Sequence, residues 1–176
     1  MSSDALTKSP AEGASWRSFA AWAGFAFAVL VLDQTVKIWF QRHFYVGEFL
    51  EVTPFFNLCH VRNTGAAFSF LSEAGGWQTA FFAGLAAVVG VACLMAMKRS
   101  GRAVLQCAAA LILSGAAGNA IDRVVLGSVV DFLDFHLNVW HWPAFNVADI
   151  AICCGAALLF LAEWLRSSDS AQKGAP

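Results

Sequence analysis

Four apolar stretches dominate this chain, at about Trp16 to Phe40, Gly76 to Met97, Ala103 to Ile121 and Asn146 to Leu165. Each is about 19–25 residues long, enough at 1.5 Å per helical residue to cross a hydrocarbon core of about 30 Å. Lipid offers no partner to an open backbone N–H or C=O, so stretches of this kind cross it as helices. The chain is 59% hydrophobic and only 13% charged, where a soluble domain carries about 25% charged residues. An all-α polytopic membrane protein with four transmembrane helices follows. The first stretch holds Asp33 and Lys37 and ends in no small-x-small cleavage site, so it reads as a retained span rather than a signal peptide.

Basic residues orient the bundle. Lys8, Arg17, Lys98, Arg99, Arg102, Arg166 and Lys173, seven of the eleven, flank one set of span ends. That set is cytoplasmic by the positive-inside rule, which puts both termini inside and the long connections, about 41–75 and 122–145, outside. Six of the seven tryptophans lie near span ends, where amphipathic rings settle at the membrane interface. Residues 1–15 are small and polar and read as a disordered cytoplasmic tail. One domain over 16–166 follows, and 167–176 form a second cytoplasmic tail. Partial alternation from Glu48 to Phe70 predicts a small extracytoplasmic β-rich patch on the membrane surface. The second outer segment mixes Val, Phe, Trp and His with two aspartates, and is expected to be an interfacial helix or a looped flap. The net charge of -1 gives no footprint for nucleic acid. Four of the five cysteines lie inside apolar stretches and Cys59 has no evident partner, so no disulfide framework is expected.

A charged group at the bilayer centre costs roughly 3 kcal/mol or more, so polar residues in apolar sequence carry the information. The topology brings nearly all of them to the outer leaflet: Asp33 and Lys37 on span one, Asn119, Asp122 and Arg123 at the exit of span three, Asn146 and Asp149 in the first turn of span four. Arg62 and Asn63 join them from the outer patch. Each set also has a plain structural reading. Asp33 and Lys37, at i,i+4, form an ion pair on one helix face. Asn119, Asp122 and Arg123 share a face and suit a helix-end anchor. Asn146 and Asp149 suit an N-cap with an acidic residue three places on, and Asp131 or Asp134 alone suits a loop. The four histidines lack metal-ligand spacing, and no G-x-S-x-G occurs, so neither a metal, a cofactor nor a serine nucleophile is expected.

Together the pieces are specific. Asp33-Gln34-Thr35-Val36-Lys37, Asn63-Thr64-Gly65-Ala66-Ala67-Phe68, Gly118-Asn119-Ala120-Ile121-Asp122-Arg123, Gly127-Ser128-Val129-Val130-Asp131-Phe132 and Phe145-Asn146-Val147-Ala148-Asp149 resemble, in order, the motifs of lipoprotein signal peptidase (signal peptidase II) of bacterial inner membranes. The resemblance covers about residues 16–165 and leaves out the tails. It implies an aspartic endopeptidase that removes signal peptides from prolipoproteins, cutting before a diacylglyceryl-modified cysteine, with membrane lipid around it and no obligate protein partner. It carries the catalytic pair onto Asp131 and Asp149, and makes Asn63, Asn119, Asp122, Arg123 and Asn146 residues that shape the site or hold substrate. Asp134 matches no catalytic position.

Two carboxyls sharing one proton supply both a base for the attacking water and an acid for the carbonyl and the leaving amine. The N-terminal end of span four favours an ionised Asp149, so Asp149 is expected as the base and Asp131 as the acid. The alternatives are a proton-coupled transporter component and a non-enzymatic scaffold. A transporter needs polar groups through the full membrane depth, and the cytoplasmic halves of the spans look apolar. A scaffold would tolerate Asp131→Asn.

Overall fold

The computed structural model describes residues 14–65 and 77–173, with side chains to residue 165. The expected tail residues 1–13 and 174–176 lie outside the described residues, as do Ala66 to Phe68 of the second motif and the end of the expected patch at Phe70. The elements run α1 (Trp16–His43), β1 (Phe49–Thr53), β2 (Phe56–Asn63), α2 (Trp77–Arg99), α3 (Ala103–Leu126), β3 (Val129–Leu137), β4 (Trp140–His141) and α4 (Val147–Lys173). All four helices are long and apolar enough to cross a membrane.

The ends of the helices follow local chemistry. Ser15, at the last position of the expected tail, caps α1 by accepting the Ser18 N–H at 3.2 Å, and the Ala14 N–H donates to the Lys98 carbonyl at the end of α2. α3 runs to Leu126, so Asp122 and Arg123 lie within its last turns instead of at its exit. It stops at Gly127, whose φ of 73° closes the helix through a bond from its N–H to the Arg123 carbonyl. A left-handed residue at this position is a glycine's natural place. α4 likewise continues past the apolar run, to Lys173.

α3 is the axle of the bundle and packs against α1, α2 and α4. At the end remote from the sheet, Ala26, Cys93, Met97, Ala109 and Ala110 form an apolar core with Phe19 and Trp22 around it. Along the α3–α4 seam the buried residues are small, among them Ala108, Ala148 and Ala151. Small side chains let helix backbones approach closely, which is how helices gain packing energy where lipid is as apolar as they are.

The two outer segments build one antiparallel sheet of order β1-β2-β3-β4. The patch expected from Glu48 onward is the β1–β2 hairpin. The second segment is neither an interfacial helix nor a free flap: it is β3, paired to β2 through Asn57↔Asp134, Val61↔Asp131 and Asn63↔Val129, and then the short β4. The reason its strand character is hard to read is that Val129 to Phe132 are all buried, carboxylate included. Both faces of β3 are covered, so the polar–apolar alternation that marks a half-buried strand is missing. Phe40 of α1 stacks on Phe132 at 4.5 Å and locks the sheet onto the bundle.

Candidate active site

β3 and the first turn of α4 deliver Asp131 and Asp149 to the same cavity, of about 490 Å³, at the sheet end of the bundle. One asparagine binds both. Asn146 donates from Nδ2 to Asp131 Oδ1 at 2.7 Å, and its backbone N–H donates to Asp149 Oδ2 at 3.2 Å. Its own Oδ1 accepts the Asp149 N–H at 3.0 Å, completing a reciprocal cap of the kind expected at a helix start. The free oxygens are also taken: Asn63 Nδ2 donates to Asp131 Oδ2 at 3.1 Å, and Asn119 Nδ2 to Asp149 Oδ1 at 2.8 Å. Each carboxyl is therefore held by two donors, from different elements of the fold.

A second layer lies beneath. Lys37 is 1% exposed and places Nζ 2.9 Å from Asp33 Oδ2, 3.1 Å from Asp122 Oδ2 and 2.9 Å from Asn119 Oδ1. The expected i,i+4 pair is thus one edge of a larger buried network. An ammonium only donates, so Asn119 must turn its carbonyl oxygen to Lys37 and its amide N–H to Asp149. Asp33 Oδ1 accepts the Ala148 N–H at 2.8 Å and so docks the start of α4. Asp122 Oδ2 accepts the Val130 N–H at 3.1 Å, next to Asp131. Gly118 leaves the room for this: a Cβ there would stand 2.6 Å from Asp33 Oδ2.

Of the residues singled out from sequence, Asn63, Asn119, Arg123, Asp131 and Asp149 line the cavity. Asn146 is fully buried behind the pair. Asp122, Asp33 and Lys37 do not line it; they fix the elements that do. Arg123 donates to the Gly65 carbonyl at 2.6 Å and lies over the Phe82 ring at 4.6 Å. Two contributors were missed. Gln34 Nε2 joins Asp33 Oδ2, the Gly118 carbonyl and Asp122 Oδ1; an amide inside an apolar run was the available signal. Trp142, Pro143, Phe145 and Ile150 give the cavity an apolar wall, and the first three of them are placed by the strand pairing.

The electrostatics suit proton exchange. Burial pushes the Asp131 carboxyl up to about 7, and the neighbouring Asp149 charge adds to the rise, while the Asn63 and Asn146 hydrogen bonds and Lys37 oppose it. Two nearby carboxyls resist double ionisation. Cys59, fully buried behind Asp131, is pushed up to about 12, mainly by burial, so it stays a thiol and offers no nucleophile.

Two amide-held carboxyls facing one cavity in a four-helix membrane bundle suit a membrane protease of the aspartic class. The comparisons identify which. The model of the family described as signal peptidase (SPase) II matches residues 25–165. A lipoprotein signal peptidase from Paraburkholderia phytofirmans is 52% identical over 158 residues, 89% of this chain and 92% of that one. Another from Cupriavidus necator is 56% identical over 146 residues, 82% of this chain and 83% of that one. A solved bacterial membrane enzyme, 30% identical, superposes with a TM-score of 0.77 over 90% of this chain and 94% of its own. The chain belongs to the signal peptidase II family and is a membrane protease; the transporter reading finds no support among its relatives.

Proposed function

We propose that Asp131 and Asp149 are the catalytic pair of a peptidase that cleaves prolipoproteins just before a diacylglyceryl-modified cysteine. The observation that carries this is Asn146, whose side-chain amide and backbone N–H bind one carboxyl each at the wall of a shared cavity. Asp149 acts as the base. It lies at the positive end of α4, which favours the carboxylate. Asp131, raised to about 7, is still partly protonated at neutral pH and acts as the acid.

In the reaction Asp149 takes a proton from water as the water oxygen bonds to the scissile carbonyl carbon. Asp131 gives its proton to the carbonyl oxygen. The tetrahedral species then collapses: the C–N bond breaks as the departing nitrogen takes the proton held by Asp149, and one hydroxyl returns its proton to Asp131 as the C=O re-forms. Asn63, Asn119 and Asn146 keep the carboxyls in register through this exchange. Arg123 presents a guanidinium to the substrate backbone from the cavity rim.

The enzyme sits in the bacterial inner membrane with both termini cytoplasmic and the sheet outside. The basic ends of α1 and α2, with Arg17, Lys98 and Arg99, lie at the opposite end of the bundle from the sheet, as the positive-inside rule requires. A diacylglyceryl group is worth roughly 0.8 kcal/mol of membrane affinity per buried CH₂, so both the lipid anchor and the apolar signal peptide reach the cavity within the bilayer plane.

The test is cleavage of a diacylglyceryl-modified prolipoprotein by purified protein in detergent, read as a gel shift. Asp131→Asn and Asp149→Asn should each lower the rate by about 10²–10⁴-fold while gel filtration and thermal unfolding show a folded protein. Full activity in either variant refutes the pair.

A further inference from the structure

Asp134 and His141 lie outside the catalytic network and join β3 to β4 at the edge of the sheet, the carboxyl buried and the imidazole half exposed. Asp134 is 2% exposed. His141 Nδ1 stands 2.9 Å from both of its carboxyl oxygens, and Asn57 Nδ2 donates to Oδ2 at 2.8 Å. The His136 ring stacks on His141 at 4.9 Å and 18°. A pair this well held on a strand edge calls for a reason, and the chain that follows it supplies one. Residues 142–145 return along β3 to form the apolar wall of the cavity, and Asn146 comes next.

The return is tied to β3 at both its ends, through the β4 ladder and through the bridge between Leu133 and Phe145, whose carbonyl accepts the Phe132 and Leu133 N–H groups. β4 is two residues long, with the register His136↔His141 and Leu137↔Trp140. Its turn passes through Asn138 at φ 55°. Beyond it the backbone is tied by the Trp142 N–H to the Phe135 carbonyl at 2.8 Å and the Phe145 N–H to the Leu133 carbonyl at 3.0 Å. Pro143, between them, has no N–H to give. A slip of one residue in so short a ladder would turn every following side chain to the other face. The Asp134–His141 contact exists in one register only.

We infer that Asp134 and His141 are positioning residues: they latch the β3–β4 hairpin so that Trp142, Pro143 and Phe145 form the wall against which the apolar part of the signal peptide rests. The inference rests on the catalytic reading above and deepens it, since it names where the peptide's apolar side chains are held. Neither residue touches the reacting atoms. The latch therefore governs how well substrate is bound, and leaves the proton exchange between Asp131 and Asp149 intact.

Steady-state kinetics on a lipid-modified prolipopeptide separate the two effects. His141→Ala should raise KM about tenfold, the range set by losing part of an apolar pocket, and keep kcat within about twofold. His141→Asn places an amide N–H where Nδ1 stood and should bring KM back; His141→Gln places it at the Nε2 position and should not. Trp142→Ala should raise KM by itself, and the double variant His141→Ala/Trp142→Ala should be no worse than Trp142→Ala, because the histidine acts through the wall. If His141→Ala does not fold, His141→Gln carries the comparison. An unchanged KM, a fall in kcat alone, no rescue by asparagine, or full additivity with Trp142→Ala would each overturn the latch. Activity surviving Asp131→Asn would instead overturn the catalytic reading, so the two failures are distinguishable.

Discussion

At the end of the bundle remote from the sheet, Ala26, Cys93, Met97, Ala109 and Ala110 fill the space between α1, α2 and α3. At the sheet end α1, α3 and the residue before α4 bury Asp33, Lys37, Asn119, Asp122 and Asn146, all 9% exposed or less. Apolar packing is adequate where helices need only stay together, and it tolerates small rotations because dispersion has little direction. The sheet end has a stricter task. On the proposed mechanism it must hold two carboxyls from different elements so that they share one proton, and hydrogen bonds with fixed donors and acceptors impose that geometry. The polar network is the expensive solution in a membrane and is densest at this end; at the remote end the buried Gln106 joins the Ser18 hydroxyl to the Met97 carbonyl.

If that division holds, the largest loss should come from the centre of the network. Lys37→Met keeps the length of the side chain but leaves the Asp33 and Asp122 carboxylates buried without their cation. Breaking a buried ion pair in this way costs about 3–5 kcal/mol, which thermal unfolding in detergent will read. Cleavage should fall as well, because Asn119 loses the contact that sets its amide. Met97→Ala, on the apolar side, opens a cavity at a residue with no exposed surface and should cost about 2 kcal/mol. Its cleavage rate per folded molecule should equal the wild type. If Met97→Ala also lowered that rate, the two halves would not be separable.

The pH response sharpens the contrast. With one proton required on the pair, cleavage should fall about tenfold per pH unit, about 1.4 kcal/mol, as pH rises beyond the upper value near 7. Stability should follow the same proton. The Asp131 carboxyl is raised in the folded protein from its ordinary 3.8 to about 7. Its contribution to stability is therefore complete below about 3.8 and is lost progressively as pH rises through about 7. Between about pH 5 and pH 8 the wild type should lose stability relative to Asp131→Asn, whose amide does not titrate. Parallel unfolding curves across that range would remove the burial argument for Asp131.

Much of this was legible in the chain itself. The four spans follow from apolar length, and Asp149, Asn63, Asn119 and Asn146 follow from polar residues that one topology brings to one depth, whereas Asp131 reads as a loop residue by itself and is singled out only by the motif resemblance. What stayed hidden has physical causes. β3 reads as neither strand nor helix because both its faces are covered and its buried positions include carboxylates. Lys37 reads as one half of an i,i+4 pair because sequence spacing shows contacts within a helix, whereas its bonds to Asn119 and Asp122 cross to α3. His141 carries no spacing signal at all, since its partner Asp134 is met only after the chain reverses at Asn138.

The smallest effect is expected at an exposed ion pair between the α2–α3 turn and α4. Arg102 Nη1 stands 4.0 Å from Glu163 Oε1, with both side chains about half exposed. Such a pair gains little Coulomb energy near solvent and loses side-chain entropy in forming, so exposed pairs contribute about 0–1 kcal/mol. Arg102 serves as the N-cap position of α3 without giving a side-chain cap bond, so a change there does not undo the helix start. Arg102→Gln should shift stability by less than about 0.5 kcal/mol and leave KM and kcat unaltered. A loss as large as that of Met97→Ala would mean that an exposed charge pair fastens the end remote from the sheet as strongly as its apolar packing does, and the contrast between the two ends would fail.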